Sequence, residues 1–191
     1  MTDYASDLSI QEARARYFAV NGLGDGGYQD RWVKLKLGPL RLWMPNTKAR
    51  VAAVRYHDIH HVLTGYDTTW LGEAEIAAWE ISSGCAHHYA AWYLNLAAMA
   101  IGLLIDFKSV ARAFWRGRRS GNLYREDFNA IQLTGSVATL QSKLKLDRPP
   151  GQPGAGDFVR FGAWAILSWL TLVSTITVCF LPVWLPWLLF V

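Results

Sequence analysis

Arg55-Tyr56-His57-Asp58-Ile59-His60-His61-Val62-Leu63-Thr64-Gly65-Tyr66-Asp67-Thr68-Thr69-Trp70-Leu71-Gly72-Glu73 crowds histidines and acids into one short stretch, and its reading decides the rest of the chain. If the stretch is helical as far as Thr64, His57 and His61 stand four apart and project from one face, one turn from each other. Asp58 borders that face. Gly65, free to take positive φ, ends the helix. Asp67 to Thr69 offer N-caps for a second helix, which places Glu73 on its first turn, where an antiparallel return brings it back towards the histidines. Two imidazoles with one or two carboxylates suit a divalent ion, either zinc or an iron held by two histidines and a carboxylate. Val54, Ile59, Val62 and Leu63 mark the helix as largely buried, where unpaired ionisable groups are costly, so the cluster reads as a metal site rather than a solvated face. Spacing alone lets His60 pair with His57 as readily as Asp58 pairs with His61.

His57-Asp58-x-x-His61 with Glu73 in a Leu-Gly-Glu context resembles the signature of the coenzyme Q (ubiquinone) biosynthesis protein 4 family. Val62-Leu63-Thr64-Gly65-Tyr66 and the run from Phe114-Trp115-Arg116-Gly117 to Asn122-Leu123 are similar to the same family, and the likeness covers roughly residues 45 to 146. The resemblance implies an all-helical, membrane-associated protein whose metal ligands are His57, Asp58, His61 and Glu73, with zinc the expected ion and iron the alternative. It also implies a polyprenylated quinone precursor or another isoprenoid lipid as ligand, and other quinone-biosynthesis enzymes as partners. The implied activity is a metal-dependent decarboxylase or hydroxylase, a lyase acting oxidatively at C1 of a benzoate-type head group. The other readings are a non-catalytic lipid-binding scaffold and a membrane-bound metallohydrolase using Asp58 as general base. Tyr56 and Asp67 are candidates for groups that support the site from just outside it. The segment before Pro45 and the apolar tail after Pro153 are not typical of the family.

Composition sets bounds on these readings. The 191 residues are 52% hydrophobic and include ten Trp, which excludes disorder and points to lipid contact. A formal charge of +4 is modest, so an anionic membrane surface is a better partner than nucleic acid. Only Cys85 and Cys179 are present, so no disulfide framework can be read, and a homodimer is allowed. Met1-Thr-Asp-Tyr-Ala-Ser-Asp7 lacks the apolar segment of a secretory signal.

The expected fold is all-α, a compact helical domain with a small N-terminal hairpin and a C-terminal transmembrane helix. Residues 1–45 form the N-terminal helix and hairpin, 46–146 the metal-binding domain, 147–157 a Pro/Gly linker and 158–191 the anchor. Ser9-Ile-Gln-Glu12 matches a capping box, and Asn21-Gly22 closes the helix it opens. Trp32 to Met44 alternates with period two about Gly38-Pro39, a hairpin pattern with Val33, Leu35 and Leu37 on one face. Asn46 is expected to cap the metal helix. Residues 74–105 read as one helix or as two broken near Ser82-Ser83-Gly84. Glu75 and Glu80 could orient the histidines, with a solvent-facing position expected for Glu80. His87 and His88 read as structural or surface residues.

The apolar run 92–105 is short for a span and reads as a core helix, its small residues Ala97, Ala98, Ala100 and Gly102 leaving space for a polyprenyl chain. Lys108, Arg112, Arg116, Arg118 and Arg119 occur with no intervening acid and are expected to rest on anionic headgroups. A short final helix capped by Thr134 or Ser136 runs to about Leu146. From Phe161 to Val191 there is no charged side chain, and residues 161–181 alone make about 31 Å of helix, the thickness of a hydrocarbon core. Pro182 and Pro186 are expected to end or bend that helix, with Trp184 and Trp187 at the far interface. Lys143, Lys145, Arg148 and Arg160 precede it, so the positive-inside tendency puts the metal domain on the cytoplasmic side of a single-pass, tail-anchored protein.

Overall fold

The computed structural model describes residues 7–37, 40–149 and 151–190. Its elements are α1 (Ile10–Asn21), β1 (Trp32–Leu37), β2 (Leu40–Pro45), α2 (Lys48–Thr64), α3 (Trp70–Ser83), α4 (Tyr89–Ile105), α5 (Phe107–Gly117), α6 (Phe128–Thr134), α7 (Val137–Lys143) and α8 (Ala155–Phe190). The chain is thus all-α but for one antiparallel hairpin, whose register runs from Trp32 opposite Pro45 to Leu37 opposite Leu40. The Gly38-Pro39 turn of that hairpin lies outside the described residues.

Local chemistry sets most boundaries. Ser9 and Glu12 form the expected capping box on α1, and Gly22 ends it at φ 64°. Gly65 ends α2 at φ 75° with its N–H donating to the His61 carbonyl. The start of α2 differs from expectation, since Thr47 caps it through the Arg50 N–H. Asn46 is engaged elsewhere, its amide donating to the carbonyls of Gly27 and Asp30 and so fastening the glycine-rich loop to the foot of α2. Thr69 caps α3.

The long apolar stretch divides at Ser83, as one of the two readings allowed, and α3 packs most extensively against both α4 and α5. Gly102 of α4 makes that approach possible, because a Cβ there would meet the Ala74 Cβ at 2.1 Å. It serves helix packing rather than leaving space for a lipid chain. Two apolar clusters result. One joins α1, α2 and α7 around Ile10, Ile59, Leu63 and Leu140, and the other joins α3, α4 and α5 around Ile81, Met99 and Phe114, with Phe161 of α8 added.

Helix α8 opens at Ala155, inside the expected linker, and continues helical through Pro182 and Pro186 to Phe190. Neither proline ends it. The side chains of Trp184 and Trp187 lie outside the described residues. The part from Ala155 to Leu181 is long and apolar enough to cross a membrane and is largely unburied by the rest of the chain. It is not a detached tail, because its first half lies along α4. Trp92 stacks on Trp164 with centroids 5.2 Å apart, and the Tyr93 hydroxyl meets that of Thr175 at 2.9 Å. Leu104, Ile105 and Phe107 near the α4 to α5 junction are exposed, as are Phe158 and Val159 of α8, and the Phe107 ring meets Phe161 edge-on. The run 92–105 is therefore half core and half apolar surface.

Candidate metal centre

Helix α2 runs towards its Gly65 stop with His57 and His61 on the face that meets the first turns of α3. The two Nε2 atoms stand 3.1 Å apart. The Glu73 carboxylate reaches His57 Nε2 at 3.2 Å and His61 Nε2 at 3.4 Å. One donor atom from each of these three residues lies within 4.8 Å of the others, the arrangement that could hold a metal ion.

The outer nitrogens explain why the inner ones face each other. His61 Nδ1 is 2.9 Å from the Tyr66 carbonyl, which can only accept, so Nδ1 carries the hydrogen. The left-handed Gly65 delivers that carbonyl by turning the chain back on itself. His57 Nδ1–H donates to Glu80 Oε1 at 3.0 Å. Both neutral rings then aim Nε2 lone pairs at one point, an arrangement that is repulsive unless a proton or a cation lies between them. A tetrahedral ion with nitrogen bonds of about 2.0–2.1 Å sets two such nitrogens about 3.3 Å apart, close to the observed separation. Histidines whose second nitrogen donates to a carboxylate or a carbonyl are the usual form of metal-binding imidazole.

Glu80, expected to face solvent, is fully buried and organises the interior behind the site. Besides His57 it accepts from His60 Nδ1–H at 2.6 Å, from the Tyr124 hydroxyl at 2.7 Å and from the Asn95 amide. Four donors converge on one carboxylate, which is what a buried charge requires. His60 is thereby assigned a structural role. Its Nε2 accepts the Leu123 N–H at 3.0 Å, so both ring nitrogens are engaged away from the His57–His61 pair. Glu80 stands seven residues after Glu73, two turns along the same face of α3, but that spacing does not say whether the face meets water or core.

The other expected site residues fall outside the three-residue group. Asp58 is buried and accepts from the Tyr28 hydroxyl, so the glycine-rich loop holds its carboxylate. Tyr56 donates to the Glu126 carbonyl at 2.8 Å and packs on Phe128 and Tyr124, on another side of α2. Asp67 accepts from the N–H and hydroxyl of Thr69, shaping the turn into α3. Neither supports the site directly. Tyr28 and the Tyr17 ring, which stacks on His61 at 5.4 Å, had no local signal in the sequence. His88 packs its ring on Tyr56 and Tyr124 and so is structural, as expected.

Charge follows this geometry. Burial works against the His57 cation, but Glu80 and Glu73 outweigh it and raise the group well above its ordinary 6.5. Burial works likewise against the carboxylates, yet His57 with His61 lowers Glu73, and His57 with His60 lowers Glu80, below the ordinary 4.5. Burial raises Asp58, partly offset by Tyr28.

The sign of the resulting pH dependence differs between the groups. The His57 contribution to stability is complete below 6.5 and fades as pH climbs through its raised folded value, while the two carboxylate contributions are complete above 4.5 and fade on acidification. Metal-free protein is therefore expected to melt highest between about pH 5 and 6 and progressively lower in the alkaline range. A metal inverts the alkaline side, because the ion replaces the His57 Nε2 proton and binds more tightly as pH rises. Melting temperatures with and without chelator from pH 4 to 9 check this. Curves that stay parallel across that range would contradict it.

Comparison of the chain with family models, with curated proteins and with solved structures returned no match. Fold and site by themselves define a class, an all-helical domain bearing a two-histidine, one-carboxylate group near its surface and carried on a long apolar helix.

Proposed function

We propose that this is a membrane-anchored, metal-dependent enzyme of ubiquinone biosynthesis, acting on the head group of a polyprenylated quinone precursor by decarboxylation at C1. The observation that carries the reading is the convergence of the His57 and His61 Nε2 atoms with Glu73, whose side chain is 39% exposed while that of His61 is 1% exposed. Three protein ligands with one accessible side are the pattern of catalytic rather than structural zinc sites, and of iron sites built from two histidines and a carboxylate. A divalent ion bound there, zinc foremost, would polarise a head-group oxygen and stabilise the charge that develops on the ring as carbon dioxide leaves. Glu80 and the Tyr66 carbonyl hold the imidazoles in the binding tautomer. The Tyr17 ring covers one face of the His61 imidazole.

The membrane part of the reading rests on α8 and on the apolar face of α4 beside it. Neither 89–105 nor 161–191 contains a charged residue. Lys143, Lys145, Arg148 and Arg160 on the near side favour a tail-anchored protein of the cytoplasmic membrane with the metal domain in the cytoplasm. The basic run after α4 contributes less to headgroup contact than its sequence suggests. Arg116 donates to the Thr64 carbonyl at the end of α2, and Arg119 donates to Gln152 and Asp157.

A second reading is favoured by the placement of Asp58. It is a carboxylate next in sequence to His57, held by Tyr28 and outside the three-residue group, so it is free of the ion as a metallohydrolase's base must be. Quinone profiling separates the readings. A deletion strain should lack ubiquinone and accumulate the carboxylated precursor, with rescue by intact protein and none by a His57→Ala variant. Rescue by His57→Ala would leave only a scaffold, and an unchanged quinone profile on deletion would reject both the enzyme and the scaffold in favour of the hydrolase.

A further inference from the structure

A cleft of about 630 Å³ opens between the turn after α5 and the stretch around the end of α7, lined by Arg118, Arg119, Lys143, Lys145 and Arg148. These cations come from two separate parts of the chain. The Gly121 N–H, donating to the Leu144 carbonyl at 2.9 Å, fastens the parts together. Two carboxylates answer them. Asp157 takes Arg119 at 2.9 Å and Arg118 at 3.7 Å, and Glu126 takes Lys143 at 2.9 Å. Asp147 accepts from the Ser142 hydroxyl and does not line the cleft. Five cations against two carboxylates leaves three positive charges in excess.

Lys145 and Arg148 are exposed and have no carboxylate partner among the described residues. Lys145 is also held at φ 60°, a left-handed conformation that a non-glycine residue rarely takes. Leu144 and Leu146 on either side of it are buried, so the turn drives apolar anchors inward while the ammonium stays at the cleft. The cleft is tied to the foot of α8, because Arg119 donates both to the Gln152 carbonyl and to Asp157 on that helix's first turn. Arg160, one turn on, is the last charged residue before the uncharged run to Val191.

We infer that this cleft binds a phosphate group carried by an anionic ligand, and that its place at the polar foot of α8 makes an anionic phospholipid headgroup the source. Arginines grip phosphate oxygens in pairs and lysines add point charge, so a cleft holding both kinds selects phosphate over a diffuse negative surface. The inference rests on the membrane reading of α8 and is independent of the metal and of any quinone substrate. Bound lipid here would fix how deeply the domain sits against the bilayer.

The test uses the full chain in neutral detergent, titrated with short-chain phosphatidylglycerol, with short-chain phosphatidylcholine and with inorganic phosphate. Phosphatidylglycerol is expected to bind at least tenfold more tightly than phosphatidylcholine and to weaken as salt is raised. The double variant Lys145→Gly, Arg148→Gln is expected to lose at least tenfold of that affinity with unchanged metal content. Glycine relieves the positive φ, so the melting temperature should not fall, which separates lost binding from lost folding. Competition by millimolar inorganic phosphate would confirm the phosphate site and assign it to a soluble source, and its failure to compete would assign the lipid. Equal affinity for both lipids, or undiminished phosphatidylglycerol binding by the double variant, would overturn the inference.

Discussion

Replacing Glu80 by alanine is expected to cost about 3–5 kcal/mol of stability, the range seen when one partner of a buried charged network is removed. Four donors meet this carboxylate, from His57, His60, Asn95 and Tyr124. Deleting it strands three of them in an interior that admits no water, since Glu80, His60 and Asn95 are at most 4% exposed and Tyr124 is 1% exposed. Stranded buried donors carry their full desolvation cost, so the loss exceeds what the hydrogen bonds contribute when made. For a chain of this size it corresponds to a fall of about 6–20 °C in melting temperature. Glu80→Gln is the more informative change. It keeps the volume and one acceptor oxygen but places an amide hydrogen against donors, and it removes the charge that fixes His57. Its stability should fall less than that of the alanine variant while metal affinity drops about 10- to 100-fold, the usual consequence of losing the group that orients a ligating histidine. A Glu80→Ala protein that melts with the intact chain would show that this network does not hold the core.

The placing of Glu80 shows where sequence reasoning stops. The spacing of His57 and His61, the stop at Gly65 and the first-turn position of Glu73 are local, set by helix geometry and by one residue's tolerance of positive φ, and all three were legible. So was the capping box at Ser9. Whether a glutamate on α3 faces water or core depends instead on what packs against that face. Tyr124 and Asn95 arrive there from far along the chain, with no mark in the residues around Glu80. Tyr28 reaches Asp58 across thirty residues for the same reason. Asn46 and Thr47 are both good N-caps, and what decided between them was a remote demand, the carbonyls of Gly27 and Asp30 that draw the Asn46 amide away. Pro182 and Pro186 weaken a helix by removing donors. A run with no charged side chain gains more by keeping its remaining backbone bonds internal than by breaking, as segments suited to lipid do.

If the His57, His61 and Glu73 group holds an ion as proposed, substituting His61 by alanine should take the metal content to near zero and abolish the proposed activity with it. The ring supplies one of three converging ligands, is 1% exposed on its side chain and is locked between the Tyr66 carbonyl and the Tyr17 ring, so no neighbour can swing in to replace it. Among the described residues only His57 and Glu73 would remain to hold the ion, and two ligands on a partly exposed surface do not retain it against a chelator. His60 cannot substitute, because its Nδ1 and Nε2 serve Glu80 and the Leu123 N–H. Asp58→Asn makes the decisive contrast. If the ligand set is His57, His61 and Glu73, the asparagine variant keeps its metal, because the carboxylate of Asp58 is bound to Tyr28 and not to the ion. If the ligand set also includes Asp58, both variants lose metal together. Metal analysis of the two purified proteins after dialysis against chelator distinguishes these outcomes. Full metal content in His61→Ala would reject the site itself.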